Sequence, residues 1–230
     1  MPNEAPSKLD TSTLLASTVH DMKNSLSIIL NRIEELSEET SLPPQELQKV
    51  LKKLSYEGKR INNNLVQILS LYRIDNGQYF PNFEEHEVLD LLEEAVLENK
   101  NTLAIKGISI ELACDEALMW FFDRNLILGI INTTLNNAYK YASSKIALKA
   151  FVENGQLTIN VSDDGPGYPP NMLIDKKSQK NIDFSTGSTG LGLYFAKVVA
   201  ESHRSKASQG SISISNTGID GGGNFSITLP

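Results

Sequence analysis

Four stretches of this chain gather side chains whose types and spacing can do chemistry. The first is His20-Asp21-Met22-Lys23-Asn24. A neutral imidazole is nucleophilic at one ring nitrogen while an acceptor holds the proton on the other, and an adjacent carboxylate suits that role. Asn24 falls one helical turn later on the same face. A solvated His-Asp pair on a helix surface has the same signature. The second is Asn137-Ala138-Tyr139-Lys140-Tyr141. An amide oxygen is a hard ligand for a phosphate-bound Mg2+, and Lys140, three residues on, suits phosphate charge. The plain alternative is an asparagine-rich polar helix face. The third, Val161-Ser162-Asp163-Asp164-Gly165-Pro166-Gly167, ends an apolar run with a carboxylate able to accept from a purine amino group. Gly165 and Gly167 let backbone approach a flat ring, or simply make a turn. The fourth, Gly187-Ser188-Thr189-Gly190-Leu191-Gly192-Leu193, opens an apolar helix with glycines, where free N–H groups and the helix dipole attract phosphate. It follows neither the Walker A pattern nor the Rossmann glycine order.

The elements that must carry these residues fall into two halves. Leu15, Val19, Met22, Leu26, Ile29, Ile33 and Leu36 succeed one another by alternating steps of four and three, the seam of a long helix. Leu47, Leu51, Leu54, Gly58, Ile61, Leu65, Ile68 and Tyr72 repeat the pattern. Pro43-Pro44 separates the two, because proline suits a first turn and not a helix interior. A helical hairpin follows, and two helices cover such seams poorly, so a four-helix bundle made by two chains is expected. His20 sits on the shoulder of the first seam.

Residues 76–83, with Gly77 and Pro81, read as a linker or short edge strand. Beyond them, helical patterns at about 86–105, 123–142 and 190–203 interleave with strand-like runs. Those runs lie near 108–113, 118–122, 145–152, 157–162, 211–215 and 224–229. Gly155 makes a hairpin turn between two of them. The fold class expected is α+β. A helical hairpin (1–75) and linker (76–83) precede an α/β sandwich (84–230), with helices on one face of a mostly antiparallel sheet.

Composition limits the function classes. A net charge of -7 across 230 residues argues against a nucleic-acid binder held by a basic surface. Cys114 is the one cysteine, so no intrachain disulfide forms and a reducing, cytoplasmic setting is expected. No run of about 18 apolar residues is present to insert into a membrane.

Taken in order, the four stretches resemble the H, N, G1 and G2 boxes of the sensor histidine kinases, whose ATP-binding fold is shared with gyrase, the Hsp90 chaperones and MutL. The resemblance covers nearly the whole chain. It implies that His20 is phosphorylated from ATP, with Asp21 as its hydrogen-bonding partner or general base. Asn24 would orient water for dephosphorylating the partner. Asn137 would bind Mg2+, with Lys140 and Tyr141 at the nucleotide, while Asp163 takes the adenine amino group and Gly165 and Gly167 shape the wall. Gly187, Thr189, Gly190, Leu191 and Gly192 would lie along the phosphates. The implied partners are a second copy of the chain and the receiver domain of a response regulator.

Two positions depart from the family. Thr133 stands where another asparagine is common, and Ser25 where proline is common. Tyr168–Thr186, with Lys176, Lys177, Lys180 and a loose F-box match at Phe184, reads as a short lid or a solvated loop. Only 19 residues precede His20, too few for a sensor domain, so the expectation is an excised core or a kinase signalled by a separate sensor protein. A scaffold with a dead nucleotide site, and an ATPase or serine kinase that ignores His20, are the rival readings.

Overall fold

A computed structural model of the protein describes residues 11–38, 43–173 and 190–230. In chain order the elements are α1 (Thr11–Glu38), α2 (Pro44–Asp75), β1 (Glu84–Glu87), α3 (Val88–Lys106), β2 (Ser109–Ala113), β3 (Met119–Phe122) and α4 (Arg124–Tyr141). They continue with β4 (Lys145–Glu153), β5 (Gln156–Asp163), α5 (Leu191–Ser202), β6 (Ser211–Ser215) and β7 (Asn224–Leu229).

The two heptad helices pack along each other as a hairpin. Pro44 starts α2, and the Pro43 carbonyl accepts from the Glu46 and Leu47 amides. Among the described residues, one chain covers only part of each seam. Met22, Ile29, Leu36, Leu54, Ile61 and Ile68 are half-buried, whereas Val19, Leu26, Ile33, Leu51, Leu65 and Tyr72 remain between 43 % and 61 % exposed. Apolar side chains left open at heptad spacing are what a second hairpin would cover.

The five-stranded sheet has the order β2-β4-β5-β7-β6, antiparallel except for β2 with β4. Leu157, Ile159 and Val161 of β5 and Phe225, Ile227 and Leu229 of β7 alternate onto one buried face. Against it lie Leu126, Ile127, Ile130, Ile131 and Leu135 of α4 and Leu191, Phe195 and Val199 of α5. Asn154 and Gly155 turn β4 into β5 with positive φ at both positions, the hairpin geometry expected there. The fold class is therefore α+β, as the sequence suggested.

One element differs. The helix expected from about residue 86 begins at Val88, and Glu84–Glu87 forms β1, antiparallel to β3. Glu-Glu-His-Glu has no apolar alternation; its strand is set by the partner it pairs with, His86 lying opposite Trp120 and its ring stacking near Phe122.

The segment between hairpin and sandwich is tethered at both ends. The Arg73 carbonyl of α2 accepts from the Gln78 and Tyr79 amides. The Tyr79 hydroxyl and the Asn82 amide donate to Asp123 Oδ2, both at 2.9 Å. Asp123 is also the N-cap of α4, its Oδ1 accepting from the Leu126 amide. The backbone N–H of Asp123 donates to His203 Nε2, and His203 Nδ1–H donates to the Val199 carbonyl. One buried carboxylate and one buried imidazole thus join the linker, the start of α4 and the end of α5.

Candidate active site

Asp163 closes β5, buried. Its Oδ1 accepts from the Gly165 amide at 2.8 Å and the Gly223 amide at 3.4 Å. Burial pushes its carboxyl up from the ordinary range, against the pull of those two donors. Oδ2 makes no hydrogen bond among the described residues and is free to accept one. The neighbouring Asp164 is spent: it accepts from the Ser143 and Ser144 amides and the Ser144 hydroxyl, tying β5 to the end of α4. Of the two adjacent carboxylates, Asp163 is the one with capacity for a ligand.

The wall around Asp163 is made of backbone. A Cβ on Gly165 would lie 2.6 Å from the Tyr141 carbonyl oxygen, and one on Gly222 only 2.1 Å from the Asp163 carbonyl oxygen. Gly167 has a φ of +76°, and a Cβ there would strike the Asn216 side chain. Asn216 clamps Tyr168 by accepting from its amide and donating to its carbonyl. Gly222, Gly223 and Asn216 belong to this wall although no motif pointed to them.

On α4, Asn137 and Lys140 line a cavity of about 310 Å³ together with Thr133, Asn136, Tyr139, Lys106 and Gly192. Its opposite wall is α2, through Tyr56, Glu57, Arg60, Asn63, Asn64 and Gln67. The hairpin that carries His20 therefore roofs the phosphate side of the candidate nucleotide site. Lys106 donates to the Tyr139 and Lys140 carbonyls at the end of α4, so its charge is engaged there. Tyr141 is half exposed beside the Lys140 ammonium. Thr133 is committed on both sides: it donates to the Gly129 carbonyl and accepts from Gln67 Nε2 of α2. The residue that departs from the family pattern is thus the point where the hairpin is latched to α4.

Leu191 is buried in the first turn of α5, Gly190 precedes it, and Gly192 faces Thr133 and Asn137. Gly187, Thr189 and the lid from residue 174 onward lie outside the described residues.

His20 is exposed on α1, with Asn24 Nδ2 at 3.3 Å from its Nδ1. The amide as placed donates to Nδ1; turned over, its oxygen would accept from Nδ1–H and leave Nε2 as the nucleophile. Asp21 faces elsewhere, its Oδ2 being 3.9 Å from Arg60 Nη2 of α2. The contact expected of Asp21 is made by Asn24 in this arrangement. Among the described residues no three His, Cys, Asp or Glu side chains cluster to hold a metal. That donor set fits an ion carried mainly by nucleotide phosphates and waters with Asn137 as a protein ligand, the habit of Mg2+.

Comparison with known proteins identifies both halves of the chain. Residues 10–77 match the His Kinase A (phospho-acceptor) domain, and residues 122–230 match the histidine kinase-, DNA gyrase B- and HSP90-like ATPase family. The sensor protein KdpD of Escherichia coli (strain K12) is 28 % identical over 229 residues, covering 94 % of this chain and 24 % of KdpD. A probable sensor histidine kinase of Mycobacterium tuberculosis (strain CDC 1551 / Oshkosh) is 26 % identical over 191 residues, 82 % of this chain and 48 % of that protein. The chain thus spans a quarter to a half of the length of these curated relatives. Among solved structures, the Acinetobacter baumannii histidine kinase AdeS superposes with a TM-score of 0.63 at 19 % identity, covering 91 % of this chain and 96 % of that one. Full-length ShkA in complex with AMPPNP gives 0.58 at 18 % identity, over 95 % of this chain and 45 % of that one. With both halves of the fold matched in order, the chain belongs to the sensor histidine kinases of two-component systems.

Proposed function

We propose that this chain is the catalytic core of an ATP-dependent autokinase that phosphorylates His20 and relays the group to an aspartate of a response regulator. The observation that carries this reading is the cavity whose one wall is Asn137, Lys140 and Gly192 and whose other wall is α2 of the hairpin bearing His20. Asp163 accepts from the adenine amino group through its open oxygen, and the glycine wall admits the ring. Lys140 and the α5 N-terminus, with Gly187, Thr189, Gly190 and Leu191, meet the phosphates, and Tyr141 flanks the base side. Asn137 would hold Mg2+, which supplies charge neutralisation to the phosphates when bound. Most of the rate in such transfers comes from positioning and charge stabilisation. Asp21, which faces Arg60 in this arrangement, would accept the ring proton of His20 once turned toward it.

The open half of the heptad seams supports a homodimer with a four-helix bundle. The exposed face around His20 is where a receiver domain would dock. Asn24, beside the ring, would orient water for dephosphorylating that regulator, a second activity of the same face. No helix among the described residues is long and apolar enough to cross a membrane; we read the chain as working in the cytoplasm, its signal coming from an attached or separate sensor. The units we assign are 1–75 for dimerisation and phosphotransfer, 76–83 as linker and 84–230 for ATP binding. Incubation with γ-labelled ATP and Mg2+ should place acid-labile, alkali-stable label on the wild type and none on His20→Gln. Label that withstands acid would sink the reading.

A further inference from the structure

Arg60 stands between the two halves of the site. It lines the cavity with Asn137 and Lys140, and it lies 3.9 Å from the Asp21 carboxylate beside His20. Among the described residues, the other cations on or beside this cavity are accounted for. Lys106 is engaged by the α4 carbonyls, and Lys59 donates to the Glu98 carbonyl away from the cavity. Lys140 belongs to the nucleotide wall. Arg60 is the charged donor that the hairpin itself contributes.

Its present contacts are loose. Glu57 Oε2 lies 3.4 Å from Nη1, and the buried Asp21 Oδ2 has no hydrogen bond among the described residues. A separation of 3.9 Å is too long for a hydrogen bond. With one long hydrogen bond to Glu57 and a distant Asp21 oxygen, Arg60 is held by charge without being locked in place. A terminal phosphate entering the cavity offers the guanidinium two oxygens at bidentate geometry, a stronger partner than either carboxylate.

We propose that Arg60 is a further catalytic residue, which exchanges Asp21 and Glu57 for the terminal phosphate of ATP bound in its own chain. The inference rests on the autokinase reading above. In the transfer, the lone pair of His20 Nε2 forms the N–P bond as the bond from the γ-phosphorus to its bridging oxygen breaks. ADP departs with that electron pair. Arg60 neutralises charge on the equatorial oxygens, where it accumulates in a loose transition state. Asp21, released by the exchange, accepts the Nδ1 proton of the phosphorylated ring. One movement of one side chain thus supplies a cation to phosphorus and a base to histidine.

The test is the rate of His20 labelling at saturating ATP and Mg2+, with ADP affinity measured in parallel, for the wild type, Arg60→Ala, Arg60→Lys and Glu57→Gln. Removing a preorganised donor from a transition state costs on the order of 100-fold or more, which is the loss expected for Arg60→Ala. Its ADP affinity should stay within about threefold, because the group acts on the phosphate that ADP lacks. Arg60→Lys keeps the charge without the fork and should fall between. Glu57→Gln weakens the hold on Arg60 and should label faster than wild type, whereas a purely structural ion pair predicts slower labelling. Arg60→Ala labelling at the wild-type rate, or losing ADP affinity in step with rate, overturns the inference alone. Absence of label from the wild type overturns the autokinase reading with it.

Discussion

Gly192→Ala examines the contact on which the phosphate side of the site is built. A Cβ there would lie 2.7 Å from Thr133 Cγ2 and 4.0 Å from Asn137 Nδ2. Carbon atoms prefer about 3.5–4.0 Å, so the methyl groups overlap by close to an ångström. Thr133 cannot rotate away cheaply, because its hydroxyl is bonded to both Gly129 and Gln67. Overpacking of this kind costs about 1–3 kcal/mol. Replacing a helical glycine by alanine returns about 0.5–1 kcal/mol, so the net effect is a modest destabilisation. Thr133→Ser removes Cγ2 and keeps the hydroxyl. In that background Gly192→Ala should become neutral or stabilising, and the coupling between the two changes should be about 1–3 kcal/mol. The assay is urea denaturation of the four proteins followed through Trp120, the sole tryptophan, whose indole N–H donates to the Pro230 carbonyl within the same sandwich. Coupling below about 0.5 kcal/mol would refute the steric argument, since that is the scatter of independent sites.

Three further outcomes are expected. Asp163→Asn keeps an oxygen for the Gly165 and Gly223 amides but turns an NH2 toward the purine amino group; losing a charge-assisted bond of about 1.5–3 kcal/mol should weaken ADP binding roughly 10- to 150-fold, by calorimetric titration, without lowering apo stability. Burial holds His203 below its ordinary value of 6.5, so the unfolded chain takes the proton first. That contribution to stability is therefore full above the unfolded value and is lost as pH falls through the lower folded one. The melting temperature should drop more between about pH 7.5 and about pH 5 in the wild type than in His203→Gln; equal slopes would refute it. Finally, Arg60, Asp21 and the cavity belong to one chain, so dimers mixing His20→Gln subunits with Asn137→Ala subunits should stay unlabelled, and label on the Asn137→Ala subunit would show transfer between chains.

What could be read from the sequence was what is local. The heptad steps of α1 and α2, the Pro43-Pro44 break and the Asn154-Gly155 turn each write their conformation within a few residues, and the four box-like stretches carry their own chemistry. What escaped depends on partners far along the chain. β1 is four polar residues that become a strand only because β3 pairs with them. Gly222 and Gly223 enter the Asp163 wall from beyond α5, and Asn216 finds Tyr168 from 48 residues away. Arg60 lies next to the seam residue Ile61 and looks like any solvated helix charge until α4 is brought opposite it. The linker expectation was likewise incomplete, because a tyrosine and an asparagine in a Gly/Pro-containing segment give no sign that both will bond to a helix N-cap 44 and 41 residues on.

The central claim is that nucleotide held at Asp163 and Asn137 phosphorylates His20. Phosphorus NMR of the protein after reaction with ATP and Mg2+, recorded in alkaline denaturant, tests it directly. A phosphohistidine resonance from the wild type that is absent from His20→Gln and diminished in Asp163→Asn at limiting ATP is the result predicted. The same resonance persisting in His20→Gln, or none from a wild type that binds ATP, would contradict it.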